Sequence, residues 1–279
     1  DGWRVAICSG CDGYRFHVDM SFPGRAAGRL GGVKRGEPAA GICRLSGPAI
    51  VSAVRQGGRG VNPSRNEHTI AVSCMIAGRG YWTGKEVCVT IHPAAAGQGI
   101  RLVRADIASS PDCPADVSHR EDVSLRTNLR CGEARFQMVE HLMAALYALE
   151  IDNCVVEISG EELPALDGSS AAYVKALREA GLILQANSRK RLVITDRIRI
   201  GSGSGWIEAL PSRGGKACFE YQLSFDGPSP VPAQSFRVEL TPRRFTRELA
   251  AARTFVTQQQ AKEIRAAGVA SHVSNQDLL

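Results

Sequence analysis

Several features that would point to a membrane or an exported protein are missing from this sequence. Although 44% of the residues are hydrophobic, there is no run of about 18 uninterrupted apolar residues, so no membrane-spanning helix is predicted. The N-terminus also lacks the basic, apolar and small-residue order of a secretory signal. These absences predict a cytoplasmic protein.

The nine cysteines lack the regular spacing of a disulfide framework. Several lie inside apolar runs, which is typical of reduced thiols that serve as small hydrophobic side chains. Cys8 and Cys11 form a lone C-x-x-C pair, but a structural zinc site needs a second pair of ligands, and the sequence offers none at a suitable spacing. We therefore predict reduced cysteines and no metal at this pair.

The net charge of +6 is not spread over the chain. Residues 1–65 hold 10 Lys and Arg against 4 Asp and Glu, whereas residues 66–279 hold 24 against 24. A basic protein that binds nucleic acid is one alternative function, but the charge-neutral remainder shows no interleaving of basic and aromatic residues. We expect no nucleic-acid partner.

Residues 1–65 are rich in Gly, Arg and Pro and have no sustained period of 2 or 3.6 residues. This composition predicts a flexible basic leader. The chain begins with Asp1 instead of methionine, so we expect a fragment, and a non-native origin of the leader is one interpretation.

From Glu67 onward the sequence predicts ordered structure. Two β-branched runs, HTIAVSCMIAG and KEVCVTIHP, flank GRGYWTG and indicate a hairpin. GIRLVRAD and DNCVVEISG predict further strands. Helices are predicted at 136–149 and after the Asp167-Gly168 turn, with Ser169 or Ser170 as the N-cap. The apolar face of the second helix comprises Ala172, Tyr173, Ala176, Leu177 and Ala180.

A polar joint at 185–191 precedes a second, strand-rich block. RLVITDRIRI, WIEALP, KACFEYQLSF and SFRVEL all indicate strands. The run from Gly201 to Gly205 joins two of them, so we interpret it as a hairpin tip and not as a phosphate-binding loop, which would open a helix. The predicted domains are 66–187 and 188–279, the second of them truncated.

Glu140 and His141 are adjacent titratable residues in the first predicted helix, which is otherwise almost wholly apolar. An unpaired carboxylate in apolar surroundings is costly, so it needs a partner, a metal or a wet pocket. One interpretation is a hydrogen-bonded buried pair. The other is a metal-binding imidazole beside a carboxylate that acts as general base.

The residues from 138 to 177 carry V-E-H-L-x-A-A-L, an I-D-N strand start and L-D-G-S-S-x-x-Y-V, all in register. This pattern resembles the zinc-dependent UDP-3-O-acyl-N-acetylglucosamine deacetylases of lipid A biosynthesis. The resemblance extends backwards through the 78–106 hairpin region and forwards through AARTF at 251–255, so that it covers about residues 66–279 and leaves the leader outside. It implies an α+β, two-domain sandwich related to the second domain of ribosomal protein S5, each domain having a mainly antiparallel sheet and two helices.

The resemblance also implies roles for individual residues. Glu140 matches the general base, His141 a zinc ligand, and Thr254 a residue that stabilises the oxyanion. Four more matches imply contacts with the substrate, UDP-3-O-acyl-N-acetylglucosamine: Phe225, Phe255, Ala261 and Ile264. We expect a monomer that touches the membrane surface transiently.

Two departures from the family pattern matter. The H-K-x-x-D motif, which carries the other two zinc ligands, and a downstream acid histidine do not occur in these residues. We therefore expect the remaining ligands beyond Leu279 and expect the fragment alone to be inactive; a relative that keeps only a scaffold or binding role is the alternative. Trp82 stands where many members have histidine, which we interpret as a subfamily trait.

Overall fold

A computed structural model of the chain describes residues 3–6, 54–56, 65–123, 125–190, 192–202, 205–211, 217–224, 231–256, 258–266, 268, 270 and 272–273. The chain divides into two compact units. One joins Arg65–Arg189 with Thr241–Leu279, and the other joins Asp1–Ser64 with Lys190–Leu240. Residues 241–279 are thus grouped with 65–189, and the expected domains at 66–187 and 188–279 stay a prediction.

The strands, in chain order, are β1 (Trp3–Ala6), β2 (Val54–Gln56), β3 (Asn66–Ile70), β4 (Cys74–Arg79), β5 (Glu86–Pro93), β6 (Ile100–Arg104), β7 (Cys113–Pro114), β8 (Arg120–Glu121), β9 (Asn128–Cys131), β10 (Ala134–Phe136), β11 (Cys154–Ile158), β12 (Leu182–Ser188), β13 (Leu192–Ile194), β14 (Ile198–Ser202), β15 (Gly205–Ala209), β16 (Cys218–Leu223) and β17 (Gln234–Glu239). The α-helices are α1 (Glu140–Ala148), α2 (Ala171–Ala180), α3 (Pro242–Arg244) and α4 (Gln258–Ala266). A 3-10 turn covers Val117–His119 and a π-helical turn covers Phe245–Leu249. Few helices and several mostly antiparallel sheets confirm the α+β class.

The unit that contains α1 is built on a five-stranded sheet in the order β4-β5-β11-β6-β7. The predicted hairpin is confirmed, because β4 and β5 pair antiparallel from Cys74 opposite Ile91 to Arg79 opposite Glu86. Strand β11 is central and runs parallel to β6. Alternate residues of the inner strands are fully buried and form the core: Val89, Ile91, Leu102, Val156 and Ile158.

Helix α1 begins later than the sequence predicts. Residues 134–136 form β10, which pairs with β9 so that Phe136 lies opposite Leu129. The apolar run from 136 therefore belongs first to a strand and only then to the helix. The helix itself buries Leu142, Ala145, Leu146 and Ala148, and this places Glu140 and His141 at its very start.

Helix α2 follows the predicted turn, with Ser170 at the N-cap position. Three residues of the predicted apolar face are buried, Tyr173, Leu177 and Ala180, and Val174 is buried with them. Among the described residues no helix is long and apolar enough to cross a membrane.

The prediction of nine reduced cysteines is wrong for one pair. Cys113 on β7 and Cys131 on β9 form a disulfide, with 5.5 Å between their Cα atoms. The irregular spacing gave no signal, since the fold brings together two strands that belong to different sheets. Cys74, Cys88, Cys154 and Cys218 are free thiols.

The second unit contains a three-stranded sheet, β1-β16-β17, and the pairs β2–β13 and β14–β15. Ser202 pairs with Gly205 at the end of β14 and β15, which confirms the hairpin tip. RLVITDRIRI forms two strands instead of one. Apart from β1, β2 and Arg65, the predicted leader lies outside the described residues, and so do Cys8 and Cys11.

Candidate active site

Glu140 is the first residue of α1, and its carboxylate is held by a neighbouring loop. The backbone N–H of Thr127 donates to Glu140 Oε2 at 3.0 Å. In return the N–H of Val139 donates to the Thr127 carbonyl at 3.2 Å. No described residue donates to the other oxygen, Oε1. One oxygen of Glu140 is therefore fixed and the other is available.

His141 lies beside Glu140 and is half-buried. Burial lowers the pKa of its imidazole below the ordinary value, against the charges of Glu140 and Asp167, which act to raise it. The ring is therefore neutral at neutral pH, the form in which histidine binds metals. Its backbone carbonyl accepts a hydrogen bond from Ser170 Oγ at 3.0 Å, which ties α1 to the start of α2.

The Asp167-Gly168 turn lies at the N-terminus of α2. Asp167 Oδ1 accepts hydrogen bonds from the Ser169 N–H at 3.1 Å and the Ser169 hydroxyl at 2.7 Å. Partial desolvation acts to raise the pKa of Asp167, but these bonds outweigh it and hold the pKa below its ordinary value, with help from the charge of Arg253. The sequence marked Asp167 only as a turn residue, and its electrostatic effect on His141 was missed.

Thr254 is placed at this same turn. Its N–H donates to the Gly168 carbonyl at 3.0 Å, and Arg253 Nε donates to the Asp167 carbonyl at 2.6 Å. Gly168 has a φ of +80°, and a Cβ at this position would lie 3.8 Å from Thr254 Cγ2. The methyl group of Thr254 thus faces the turn, whereas its exposed hydroxyl has no hydrogen-bond partner among the described residues.

Replacing Ser169 with alanine tests the Asp167 turn. Because the folded-state pKa of Asp167 is depressed, its contribution to stability is present above the unfolded pKa of about 3.9 and is lost as the pH falls through the folded value. We expect Ser169→Ala to lower the free energy of unfolding by about 1 to 2 kcal/mol at pH 7, a modest value because solvent screens this exposed carboxylate. Urea unfolding between pH 7 and pH 3 measures it.

The difference between Ser169→Ala and the parent should shrink toward the acid end of that range. Ser188→Ala, at an exposed strand position, is the matched control and should change little at any pH. A difference that stays constant with pH would contradict the assignment of Asp167 as the charged acceptor.

A turn between β4 and β5 also reaches the start of α1. Trp82 Nε1 donates to the sulfur of Met138 at 3.2 Å. The turn is held by Glu162, which is only 3% exposed and accepts bonds from the N–H groups of Trp82 and Thr83. A Cβ on Gly80 would lie 2.4 Å from Glu162 Oε2, so any side chain at this position would displace the Glu162 carboxylate.

The structure describes three of the four predicted substrate-contacting residues. Ala261 and Ile264 on α4 line a small cavity of about 10 Å³ together with Tyr81, Arg265, Ala270 and Val273. Phe255 is half-buried directly after Thr254. Phe225 lies outside the described residues.

The family profile described as UDP-3-O-acyl N-acetylglycosamine deacetylase matches residues 67–279. The chain belongs to this deacetylase family. The match includes every candidate site residue and excludes the leader up to residue 66. The turns that carry Trp82, Thr127, Asp167 and Thr254 are therefore all part of the family region of the chain.

Individual relatives carry the same description as the family profile. A UDP-3-O-acyl-N-acetylglucosamine deacetylase of Anaeromyxobacter sp. (strain Fw109-5) is 38% identical over 205 residues, which cover 74% of this chain and 66% of the relative. The corresponding deacetylase of Brucella ovis is 37% identical over 204 residues, covering 73% of this chain and 70% of the relative. The chain thus spans about two thirds of the length of these curated deacetylases.

His141 suits a metal as one ligand, because it is a neutral imidazole next to a carboxylate. Within the part of the chain that the structure describes, no group of three His, Cys, Asp or Glu side chains comes together to hold an ion. A deacetylase site of the zinc type normally takes three protein ligands. The described residues therefore fit one part of such a site.

Proposed function

We propose that this chain supplies the catalytic base and one zinc ligand of a deacetylase that hydrolyses the N-acetyl group of UDP-3-O-acyl-N-acetylglucosamine. The products are acetate and a free glucosamine amine, in the committed step of lipid A biosynthesis. The observation that carries this proposal is the pairing of a half-free carboxylate, Glu140, with a neutral imidazole, His141, in a chain of this family.

Glu140 is the general base in this proposal. Its Oε2 is occupied by the Thr127 N–H, so Oε1 accepts the proton of the attacking water. A carboxylate whose second oxygen is fixed loses little freedom on reaching the reactive geometry, and this favours proton transfer. As the C–N bond breaks, the leaving nitrogen would take its proton from the acid histidine of the family pattern, which these residues do not contain, and Glu140 would release its own proton to solvent.

His141 would hold zinc through its neutral ring, with the remaining ligands from an H-K-x-x-D segment of the family pattern, which these residues do not contain. Zinc, when bound, supplies Lewis-acid chemistry that activates water and polarises the acetyl carbonyl. Burial favours the uncharged imidazole, so protons compete weakly for the ligand nitrogen at neutral pH. The Ser170 bond to the His141 carbonyl fixes the backbone that carries the ring.

Thr254 would donate its hydroxyl to the developing oxyanion. Its main chain is fixed at Gly168 and its methyl group faces the turn, so the hydroxyl is the polar part left for a ligand. A donor that is already in place before reaction stabilises negative charge without reorganisation.

The finer parts of the proposal concern substrate and architecture. Phe225 and Phe255 would contact the nucleotide sugar, and Ala261 and Ile264 would line the passage for the acyl chain. Ala261 and Ile264 share a small cavity with Tyr81 and Val273, which supports an apolar role for these two positions. We further propose the family's two-domain sandwich related to the second domain of ribosomal protein S5, acting as a monomer with transient membrane-surface contact.

Zinc binding and acetate release test the proposal. We expect residues 1–279 alone to bind zinc at least about 100-fold more weakly than a completed chimera, because one imidazole is an incomplete site. The completed chimera consists of residues 66–279 followed by the segment of a family member that carries H-K-x-x-D and the downstream histidine. Isothermal titration with zinc and enzymatic assay of released acetate measure the two properties.

The chimera should release acetate, and residues 1–279 should not. His141→Ala in the chimera should reduce zinc affinity to the level of the isolated chain, whereas His119→Ala, at a half-buried histidine outside the site, should leave it unchanged. A chimera that binds zinc but leaves the N-acetyl group intact would refute the deacetylase proposal.

A further inference from the structure

The loop at 125–127 and the start of α1 are joined by three separate contacts. The backbone of Thr127 makes two of them: its N–H donates to Glu140 Oε2, and its carbonyl accepts from the Val139 N–H. The third contact runs through side chains: the Arg126 guanidinium lies over the Trp82 ring, 4.7 Å from its centroid, and Trp82 Nε1 donates to Met138. Trp82 therefore links the residue before Thr127 to the residue before Val139.

Arg126 has no carboxylate partner among the described residues. Its Nε is buried and has no hydrogen-bond partner within the described part of the chain. A buried donor without an acceptor is normally unfavourable, so another interaction must hold the guanidinium in place. The ring of Trp82 supplies it, since a cation is attracted to the face of an indole, the strongest of the aromatic platforms.

The loop at 125–127 and the segment before α1 each contain a residue with a strained backbone conformation. Leu125 has a φ of +66° and Met138 a φ of +61°. Left-handed conformations are uncommon for residues other than glycine and persist only where surrounding contacts hold them. Each of these two residues lies within two positions of the Thr127–Glu140 hydrogen bond.

The Trp82 ring is itself fixed. Tyr81 meets it edge-on, with ring centroids 5.1 Å apart and an interplanar angle of 81°. The buried carboxylate of Glu162 holds the main chain of the same turn through the N–H groups of Trp82 and Thr83. The Trp82 ring, with Arg126 over one face and the Met138 sulfur accepting from its N–H, can therefore hold the segments of Leu125 and Met138 at a fixed separation.

We propose that Arg126 and Trp82 are positioning residues, and that their stack on Met138 holds the Thr127 N–H against Glu140 Oε2 and so orients the carboxylate. Neither side chain touches the reacting atoms in this arrangement. Glu140 depends on them because the hydrogen bond it accepts comes from a backbone N–H, whose position follows that of the loop at 125–127. The inference relies on the proposed function solely for calling Glu140 the base.

The hydrogen bond itself is the readout, and it needs neither zinc nor turnover. In the 279-residue chain we expect the Thr127 amide proton to resonate downfield and to exchange slowly with solvent. In Trp82→Phe and Arg126→Met the resonance should move upfield and its exchange should accelerate by about tenfold, as expected for weakening one hydrogen bond. Arg126→Lys keeps a cation over the ring and should restore most of the protection.

The chain contains a matched control. Arg199 lies over the Trp206 ring, 4.0 Å from its centroid, on the β14–β15 hairpin. Arg199→Met and Trp206→Phe remove the same chemistry and should leave the Thr127 signal unchanged.

An unchanged Thr127 shift and exchange rate in Arg126→Met would overturn the proposal, and this variant alone decides if Trp82→Phe does not fold. Equal acceleration in the Arg199 and Trp206 variants would also overturn it, because the effect would then be general destabilisation. Absence of deacetylase activity in the completed chimera bears on the proposed function and leaves this measurement intact.

Discussion

Glu140→Gln in the completed chimera should lower kcat for acetate release by about 10²- to 10⁴-fold, the usual contribution of general base catalysis. The amide keeps the size of the side chain, and its oxygen can still accept from the Thr127 N–H. What is lost is the ability to take a proton at the available position. Steady-state kinetics with UDP-3-O-acyl-N-acetylglucosamine measures the effect, and KM should change little.

Glu179→Gln is the matched control for this experiment. Glu179 is an exposed carboxylate on α2, and its replacement should leave kcat unaffected. Zinc content of both variants should equal that of the parent chimera. If Glu140→Gln retained more than about a tenth of the parent kcat at full zinc occupancy, Glu140 would not be the base.

Thr254→Val in the completed chimera should lower kcat by about 10²- to 10³-fold, the cost of removing one donor to an oxyanion. Valine keeps the β-branched shape and the methyl group that faces Gly168, so the turn at Asp167 should remain folded. The backbone bond from residue 254 to Gly168 is also kept. The loss should therefore appear in kcat and leave the melting temperature within a few degrees of the parent.

Thr254→Ser separates the hydroxyl from the methyl group. Serine restores a donor but lacks the methyl, so it should recover most of the rate. Thr246→Val, which removes a hydroxyl that donates to the Pro242 carbonyl, is the control for a threonine outside the site. Equal rates in the Val and Ser variants at position 254 would assign the effect to packing.

The strands and the two titratable residues of the site could be predicted from the sequence, because their side-chain types identify them. The alternation of β-branched residues located β4, β5, β6 and β11, and the neighbouring Glu140 and His141 drew attention to the start of α1. The helix start was placed four residues too early because Phe136 is as apolar as the helix that follows it. Local hydrophobicity cannot separate a short strand from the first turn of a helix.

Other parts of the site had no readable signal. The donor to Glu140 is the backbone N–H of Thr127, and every residue except proline has such a group, so nothing in the sequence marks this one. The left-handed conformations of Leu125 and Met138 are likewise invisible, because neither residue type favours them. Their placement depends on contacts between segments more than ten residues apart, as does the pairing of Cys113 with Cys131.

The unit that holds the candidate active site is discontinuous in sequence: its first segment ends at Arg189 and its second segment begins at Thr241. During synthesis, α1 and the Asp167 turn emerge from the ribosome well before Thr254, which packs against that turn. The 85 residues between Gly168 and Thr254 must be translated first, which takes about 4 to 17 seconds at roughly 5 to 20 residues per second. Until then the Gly168 carbonyl lacks its hydrogen bond from the Thr254 N–H. A translation product that stops before residue 254 would never form this bond.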